Sequence, residues 1–251
     1  LGDFVRPYDY NQPFMDAWNS FEGPRHHVIG NHDMDGGFTR EQVVSFYGMP
    51  SRYHAFDSDP CRFLVLDGND KKPDGGQSGY SRWIGQEQLE WLEKQLELSD
   101  RPVIILSHQS LENEDGVGNG SEVRAILEKA NEVLGGQKVL ACFSGHHHLD
   151  FVRVIHDIPY VQVNSMSYQW VGGDYQRVRY SKEVDESHPW IKYTAPYRDP
   201  LWMQVTLEPG LGLHLQGVQS EWVGPSPQEL GAKIDAVESS VTPQIRTRRF
   251  V

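Results

Sequence analysis

The chain lacks any long hydrophobic run and contains little cysteine. Its uninterrupted apolar stretches reach about half a dozen residues, as around Val103–Leu106, whereas a membrane-spanning helix needs about 20. The two cysteines, Cys61 and Cys142, lie beside strand-like sequence, and we expect buried free thiols, although a disulfide stays open from the sequence alone. We therefore expect a soluble chain without a membrane span. Its compartment stays open, with export as one alternative.

Positive charge is also in short supply. Lysine and arginine together number 23, against 35 aspartates and glutamates, which gives a formal net charge of -12. Such an acidic chain offers no electrostatic footprint for DNA, RNA or an anionic membrane. We expect no nucleic-acid partner and favour a small substrate, or one whose charge is met by metal ions. The oligomeric state cannot be read from the composition.

Apolar strands and amphipathic helices alternate along the first part of the chain, and hairpin-like pairs follow. Predicted helices cover 13–21, 39–47, 86–98 and 119–134, with a stop at Gly135-Gly136, and a short helix follows the capping box that begins at Ser226. Predicted strands end at Ile29 and cover 52–56, 62–66, 102–106, 139–143, 151–155, 160–163, 202–207 and 213–218. This pattern predicts an α/β fold in a single domain spanning 1–251, with a loose polar tail over 242–251.

Polar clusters directly follow three of the predicted strands. They are Gly30-Asn31-His32-Asp33, Ser107-His108 and Gly145-His146-His147-His148, and Gly2-Asp3 has the same form at the start of the chain. Open α/β sheets build their sites on loops at the carboxyl ends of strands, and Asp, Asn and His are ligands for transition metals. Each cluster alone has a plain alternative, such as a turn, a strand-end histidine or a solvated loop. Their combination favours a metal centre.

In order and spacing from residue 2 to 148, these motifs resemble the calcineurin-like metallophosphoesterase superfamily, which includes purple acid phosphatases and cyclic-nucleotide phosphodiesterases. Residues 63–67 and 85–92 resemble its branch of small-molecule and phosphodiester hydrolases. The resemblance implies a four-layer sandwich of two mixed sheets flanked by helices. It also implies hydrolysis of a phosphomonoester or phosphodiester by a hydroxide held between two metal ions, which could be Fe, Mn, Zn or Ni.

The same resemblance implies roles for individual side chains. The implied metal ligands are Asp3, Asn31, His108, His146 and His148. Asp3 would bridge the two ions, and His148 would belong to the second one. His32 would be catalytic without being a ligand, protonating the leaving oxygen or steadying the transition state, and Asp33 would orient it.

Two departures from the family pattern qualify this interpretation. Arg6 stands where the family has a carboxylate, three residues after the bridging Asp3, and we interpret Arg6 as a surface residue. The opening Asp-x-His motif of the family occurs nowhere in the sequence. We expect that motif upstream of Leu1, which would make the domain incomplete at its N-terminal strand and helix.

Three alternatives to a general phosphatase stay open. A cyclic-nucleotide or nucleotide-sugar phosphodiesterase would share the same residues. A non-catalytic metal- or phosphate-binding module is a second possibility, and a nuclease is disfavoured by the charge. Aromatic side chains between Tyr168 and Trp202 would either stack on a nucleobase or sugar or pack their own long loop onto the sheet.

Overall fold

The computed structural model describes residues 1–76, 78–133, 137–207, 210, 212–234 and 240–250. The chain falls into two compact units by its internal contacts. One unit comprises 1–146 with 153–161, and the other comprises 147–152 with 162–251. The expectation of one domain over the whole chain stays a prediction.

A mixed six-stranded sheet organises the first unit. Its strands are β1 (His54–Ser58), β2 (Cys61–Val65), β3 (Val103–Leu106), β4 (Val139–Ser144), β5 (Phe151–Ile155) and β6 (Ile158–Gln162), in the spatial order β1-β2-β3-β4-β6-β5. The β1 and β2 strands are antiparallel, whereas β2, β3 and β4 run parallel. Because parallel strands end at the same edge of a sheet, the loops after β3 and β4 lie side by side. The amide of Gly145 accordingly donates to the carbonyl of His108 at 2.9 Å.

Four helices accompany this sheet, namely α1 (Gln12–Asn19), α2 (Arg40–Tyr47), α3 (Gln86–Leu98) and α4 (Gly120–Val133). The apolar stripes of α3 and α4 pack on one face of the sheet, in a core that contains Leu64, Leu92, Leu96, Val103, Ile105, Val123 and Leu127. The middle strands are buried, β4 along its whole length and β3 up to the partly buried Leu106, as their continuous apolar sequence predicted. Burial of apolar surface is the main favourable contribution to folding here.

The α2 helix packs in a second core, and residues at both of its ends favour a helix. Thr39 and Gln42 form a reciprocal capping box at its start, and Gly48, with φ of 65°, ends it in the left-handed region. This core contains Met15, Ile29 and Val43 with the tyrosine ring of Tyr47. Ile29 is fully buried, but the predicted strand that ends there is wrong, because residues 24–30 form no strand in the described structure.

The second unit contains two small sheets. Strands β7 (Tyr168–Trp170) and β8 (Thr194–Pro196) pair antiparallel, and the other sheet has β9 (Met203–Leu207), β10 (Leu213–Gly217) and β11 (Arg248–Phe250) in the order β11-β10-β9. One helix, α5 (Lys182–Ser187), lies between β7 and β8 in sequence. No helix within the described ranges is long and apolar enough to cross a membrane.

Two expectations about this unit need correction. Part of the tail expected to be loose is ordered as β11, because Arg246 and Arg248 bind the buried carboxylate of Asp150 at 2.5 and 2.6 Å. The capping box at Ser226 forms its contacts with Glu229, but only turns follow. Gly231 adopts φ of 71° and ends the turn before a helix develops.

Both cysteines are buried free thiols, as expected. Burial raises the pKa of the Cys142 thiol well above its usual value, which disfavours the reactive thiolate. Three predicted features lie outside the described residues: the helix stop at Gly135-Gly136, part of the loop between β9 and β10 (Pro209 and Leu211), and the last residue of the tail, Val251.

We predict that Leu127→Ala lowers the free energy of unfolding by about 2–5 kcal/mol, because it leaves a cavity in the core between α4 and the sheet. Val133→Ala is the matched control on the same helix, since Val133 is 72% exposed, and it should change stability by less than about 0.5 kcal/mol. Denaturant unfolding measures both. Equal losses for the two variants would contradict the packing of α4.

Candidate metal centre

The buried imidazole of His108 lies at the centre of the polar clusters. Its Nε2 atom is 3.0 Å from Oδ1 of Asn31, 3.1 Å from Oδ2 of Asp3 and 3.1 Å from Nδ1 of His146. Ligand atoms of Asp3, His108 and His146 all lie within 4.8 Å of one another, so one ion could contact all three. The structure thus brings together four of the five metal ligands that the resemblance implied.

The other ring nitrogen of His108 decides what Nε2 can do. Nδ1 lies 2.7 Å from the carbonyl oxygen of Leu1, and a carbonyl only accepts, so Nδ1 carries the proton. In a neutral ring Nε2 then presents a lone pair to two oxygens and a nitrogen. The lone pairs of Nε2 and of the two oxygens repel one another unless a proton or a metal cation lies between them. Metal-bound histidines commonly donate their other N–H to a backbone carbonyl in this way.

The Asn31 side chain fits the same interpretation. It is 2% exposed, and its Nδ2 group has no hydrogen-bond partner among the described residues. Leaving a buried donor without a partner costs about 1–3 kcal/mol. Despite this cost, the amide points its carbonyl oxygen at Nε2 of His108. A metal ligand needs this orientation, because the oxygen is the atom that binds a cation. The donor set of one carboxylate, one amide oxygen and two imidazoles suits a divalent transition metal.

Asp3 reaches the centre because two glycines leave room for it. Asp3 itself has φ of 51°, and Gly2 before it has φ of 84°. A Cβ atom on Gly30 would come within 2.1 Å of Oδ1 of Asp3, and one on Gly2 within 2.4 Å of Nδ1 of His108. Burial raises the pKa of the Asp3 carboxyl, but the hydrogen bonds at the carboxylate, including the one from the His32 amide, outweigh burial and hold the pKa well below its usual value. Asp3 is therefore a carboxylate in the metal-free protein.

Asp33 holds the two ligand-bearing loops together through their backbone. Its Oδ2 accepts from the amides of Gly30 (2.7 Å) and Asp3 (3.1 Å), and its Oδ1 accepts from the amide of Phe4 (2.7 Å). Burial raises the pKa of this carboxyl, against the hydrogen bond from Gly30 that lowers it. This is a different task from the expected one, because Asp33 was predicted to orient His32 and instead binds backbone.

His32 is oriented by residues that the motif did not indicate. Its Nδ1 lies 2.7 Å from Oδ2 of Asp35 and 3.0 Å from Oη of Tyr80, and its amide donates to Oδ1 of Asp3 at 2.8 Å. The side chain is 51% exposed, so the ring reaches solvent beside the buried ligands. The Asp35 contact was detectable only as an i,i+3 spacing after His32, and Tyr80 left no sequence signal, because it lies 48 residues further along the chain.

The histidine run after β4 has a constrained backbone. His146 and His148 both lie in the left-handed region, with φ of 68° and 54°. Such conformations cost non-glycine residues of order 1–3 kcal/mol and concentrate at functional sites. His146 belongs to the first unit and His148 to the second. Within the second unit the rings of His148 and Tyr168 meet edge-to-face, with their centroids 5.0 Å apart. The role of His148 as a ligand of a second ion stays a prediction.

The two other motif stretches, residues 63–67 and 85–92, meet each other. The Gln88 side chain accepts from the amide of Asp67 at 2.8 Å and donates to its carbonyl at 2.9 Å. The Asp67 carboxylate, which is fully buried, binds Arg40 and Arg52, each at 2.9 Å. Together with the hydrogen bond that Gln109 donates to Asn69 at 3.1 Å, these contacts hold the loop after β2 next to the loop after β3.

Comparison with known proteins agrees with this geometry. The family model described as calcineurin-like phosphoesterase matches residues 1–150, more than half of the chain. The chain belongs to the calcineurin-like phosphoesterase family. The match includes four of the residues around the centre and confirms the resemblance that the motifs indicated.

One curated relative of this family is the manganese-dependent ADP-ribose/CDP-alcohol diphosphatase of Oryza sativa subsp. japonica, which is 28% identical over 185 residues. The alignment covers 55% of this chain and 56% of that protein, so the chain matches about half of its relative's length. Its name implies a divalent metal and agrees with the donor set described above.

A solved structure, the dimetal phosphatase from Danio rerio, has a similar fold. The TM-score is 0.52 at 16% sequence identity, and the match covers 89% of this chain and 82% of that one. At this identity the likeness concerns the fold alone. It confirms the predicted fold class, the α/β fold of metal-dependent phosphatases with a large mixed sheet.

We predict that Gly30→Ala weakens metal binding by about 10- to 100-fold, since the new methyl group would push Asp3 away from His108. Gly76→Ala is the matched control, because its Cβ would meet nothing closer than 3.5 Å. Calorimetric titration of the metal-free proteins with Mn²⁺ measures the affinity. Unchanged affinity in Gly30→Ala would show that the placement of Asp3 is not needed for binding.

Proposed function

We propose that this chain hydrolyses phosphoric esters at a centre of divalent transition-metal ions. The observation that carries the proposal is the convergence of Asp3, Asn31 and His146 on Nε2 of His108, whose Nδ1–H is already held by a backbone carbonyl. Four side chains of this kind around one spot form a ligand set. We further propose that His148 is a ligand of a second ion.

Each group of the centre then has a task that follows from its position. When bound, the metal ions would supply positive charge to the phosphate oxygens and lower the pKa of a water molecule. The His32 amide donates to the Asp3 carboxylate, which places the half-exposed imidazole beside the residues that would hold the ions. From there the ring is suited to donate a proton to the oxygen of the leaving group, as general acids do.

The substrate class we favour is a diphosphate linkage between a nucleoside and a small alcohol or sugar. The support is the name of the rice relative, an ADP-ribose/CDP-alcohol diphosphatase, together with the strongly acidic composition, which disfavours polyanionic substrates. Simple phosphomonoesters are the competing class. Turnover of a nucleoside diphosphate ester alongside the matching monophosphate separates the two classes.

We predict that His108→Ala and His146→Ala each lose most of their bound metal and their activity. The two imidazoles face the same ion, so the double variant should be little worse than either single one. Metal content by mass spectrometry and turnover measure the effect. His156→Ala, which removes an exposed imidazole paired with Glu128, is the control and should keep both. Full metal content in either ligand variant would show that the ligand set is wrong.

We predict that His32→Ala keeps its metal content but loses about 10²- to 10⁴-fold in turnover, the range expected for a general acid. The reason is that the His32 ring binds Asp35 and Tyr80 and its amide contacts Asp3 only through the backbone. Metal stoichiometry is measured on the same samples. Loss of metal in this variant would make His32 a ligand. Undiminished turnover would point to a binding module or another acid.

A further inference from the structure

The contacts around His32 form a closed triangle of three side chains. Nδ1 of His32 lies 2.7 Å from Oδ2 of Asp35, and the Tyr80 hydroxyl donates to Oδ1 of Asp35 at 2.9 Å. The same hydroxyl oxygen is 3.0 Å from Nδ1 of His32, and the two rings meet edge-to-face at 4.7 Å. One carboxylate therefore contacts both rings, each through a different oxygen.

We propose that Asp35 and Tyr80 are positioning residues for His32, holding its Nδ1 inward so that Nε2 faces the substrate. The proposal rests on the proposed function, in which His32 donates a proton to the leaving oxygen. It adds the two groups that leave Nε2 as the nitrogen that makes that donation. For the transfer Nε2 first takes up a proton from solvent, which gives a doubly protonated ring, and the ring returns to the Nδ1–H form when Nε2 passes that proton to the leaving oxygen. Neither group touches the substrate or the metal ions in this account.

The tautomer follows from what each partner is able to do. An ionised carboxylate only accepts hydrogen bonds, so the nitrogen that faces Asp35 must carry a proton. The Tyr80 hydroxyl has one hydrogen and directs it to Asp35, which leaves its oxygen lone pairs towards Nδ1–H. Both contacts therefore favour the same tautomer. Burial raises the pKa of Tyr80 to about 12, with the hydrogen bond to Asp35 as a further cause, so the hydroxyl keeps that hydrogen.

Orientation matters for this ring because little else restrains it. The His32 side chain is 51% exposed, and an exposed side chain samples several rotamers at small cost. Local structure supplies the first restraint. His32–Met34 form a turn of 3₁₀ helix, in which side chains at i and i+3 eclipse, and this places Asp35 over His32. The ring of Tyr80, from the loop between β2 and α3, then closes the far side.

The neighbouring carboxylates are committed elsewhere. Both oxygens of Asp33 accept backbone amides of the ligand loops, and Asp3 uses Oδ1 for the amide of His32 and Oδ2 for His108. Among these neighbouring carboxylates, Asp35 is thus the one that is available to bind the imidazole of His32. Misplacing a catalytic group by about 1 Å can cost on the order of 10²-fold in rate.

The first test reads the tautomer directly in the metal-free protein, independently of activity. Two-bond ¹H–¹⁵N spectra at mildly alkaline pH give the protonated nitrogen of each imidazole, and the His32 signals are those missing from His32→Ala. We expect the Nδ1–H form in the wild type and a mixture with Nε2–H in Asp35→Ala. Asp35→Asn should lie between them, because its amide keeps an acceptor oxygen. An Nε2–H ring in the wild type, or no change in Asp35→Ala, would overturn the proposal.

The second test uses leaving groups of different basicity in the metal-loaded protein. A misdirected acid matters for a poor leaving group, so Asp35→Ala should lose about 10²-fold with an alkyl or nucleotide ester but less than about 3-fold with a p-nitrophenyl ester. Tyr80→Phe should lose about 10-fold with the poor leaving group, at unchanged metal content. Equal losses with both esters would indicate a merely structural role and would overturn the proposal.

Matched controls exist elsewhere in the first unit. Tyr53→Phe removes a hydroxyl that donates to Glu87 at 3.2 Å, the same kind of contact as Tyr80 with Asp35. Asp57→Ala removes an exposed carboxylate paired with Arg62. Both should behave as the wild type in the two tests. Absence of turnover in the wild type would count against the proposed function alone, because the tautomer measurement still decides the roles of Asp35 and Tyr80.

Discussion

The hydrogen bond between Nδ1 of His108 and the Leu1 carbonyl governs the chemistry of the site. It fixes the proton on one side of the ring and leaves the other nitrogen facing Asn31 and Asp3 oxygens and a His146 nitrogen. The two oxygens, about 3 Å from the Nε2 lone pair, are electrostatically unfavourable neighbours until a cation lies between them, and a metal ion there would take all of these side chains as ligands. The folded chain holds these side chains together at a cost that a bound metal ion removes. Metal binding should therefore raise the free energy of unfolding.

The backbone supplies the geometry that this arrangement needs. Parallel β3 and β4 end together, which sets His108 next to Gly145, while Asp33 ties the Gly2-Asp3 loop to the Gly30-Asn31 loop through three amides. Asp3 and His146 are held in the left-handed region, at a cost that packing elsewhere must offset. Glycines lie where the chains approach most closely. The large apolar core under the sheet provides the rigidity that keeps these loops in register.

Much of this could be predicted from sequence, and the limits have physical reasons. His108 and His146 follow the parallel neighbours β3 and β4, so their convergence follows from the sheet topology, whereas Asp3 and Asn31 follow no described strand and depend on the backbone contacts of Asp33. The task of Asp33 could not be predicted, since it depends on backbone amides that a motif does not specify. Tyr80 reaches His32 from a distant loop. The pairing of β11 likewise depends on a buried carboxylate, Asp150, that neutralises two arginines of an otherwise polar tail.

The most direct measurement of the central claim is anomalous diffraction from crystals of this chain soaked in Mn²⁺. The account predicts a peak about 2–2.3 Å from Nε2 of His108, in contact with Asp3, Asn31 and His146, with Nδ1 still bound to the Leu1 carbonyl. A manganese ion bound elsewhere, or crystals that bind none while His108 keeps its contacts with Asn31 and His146, would contradict it.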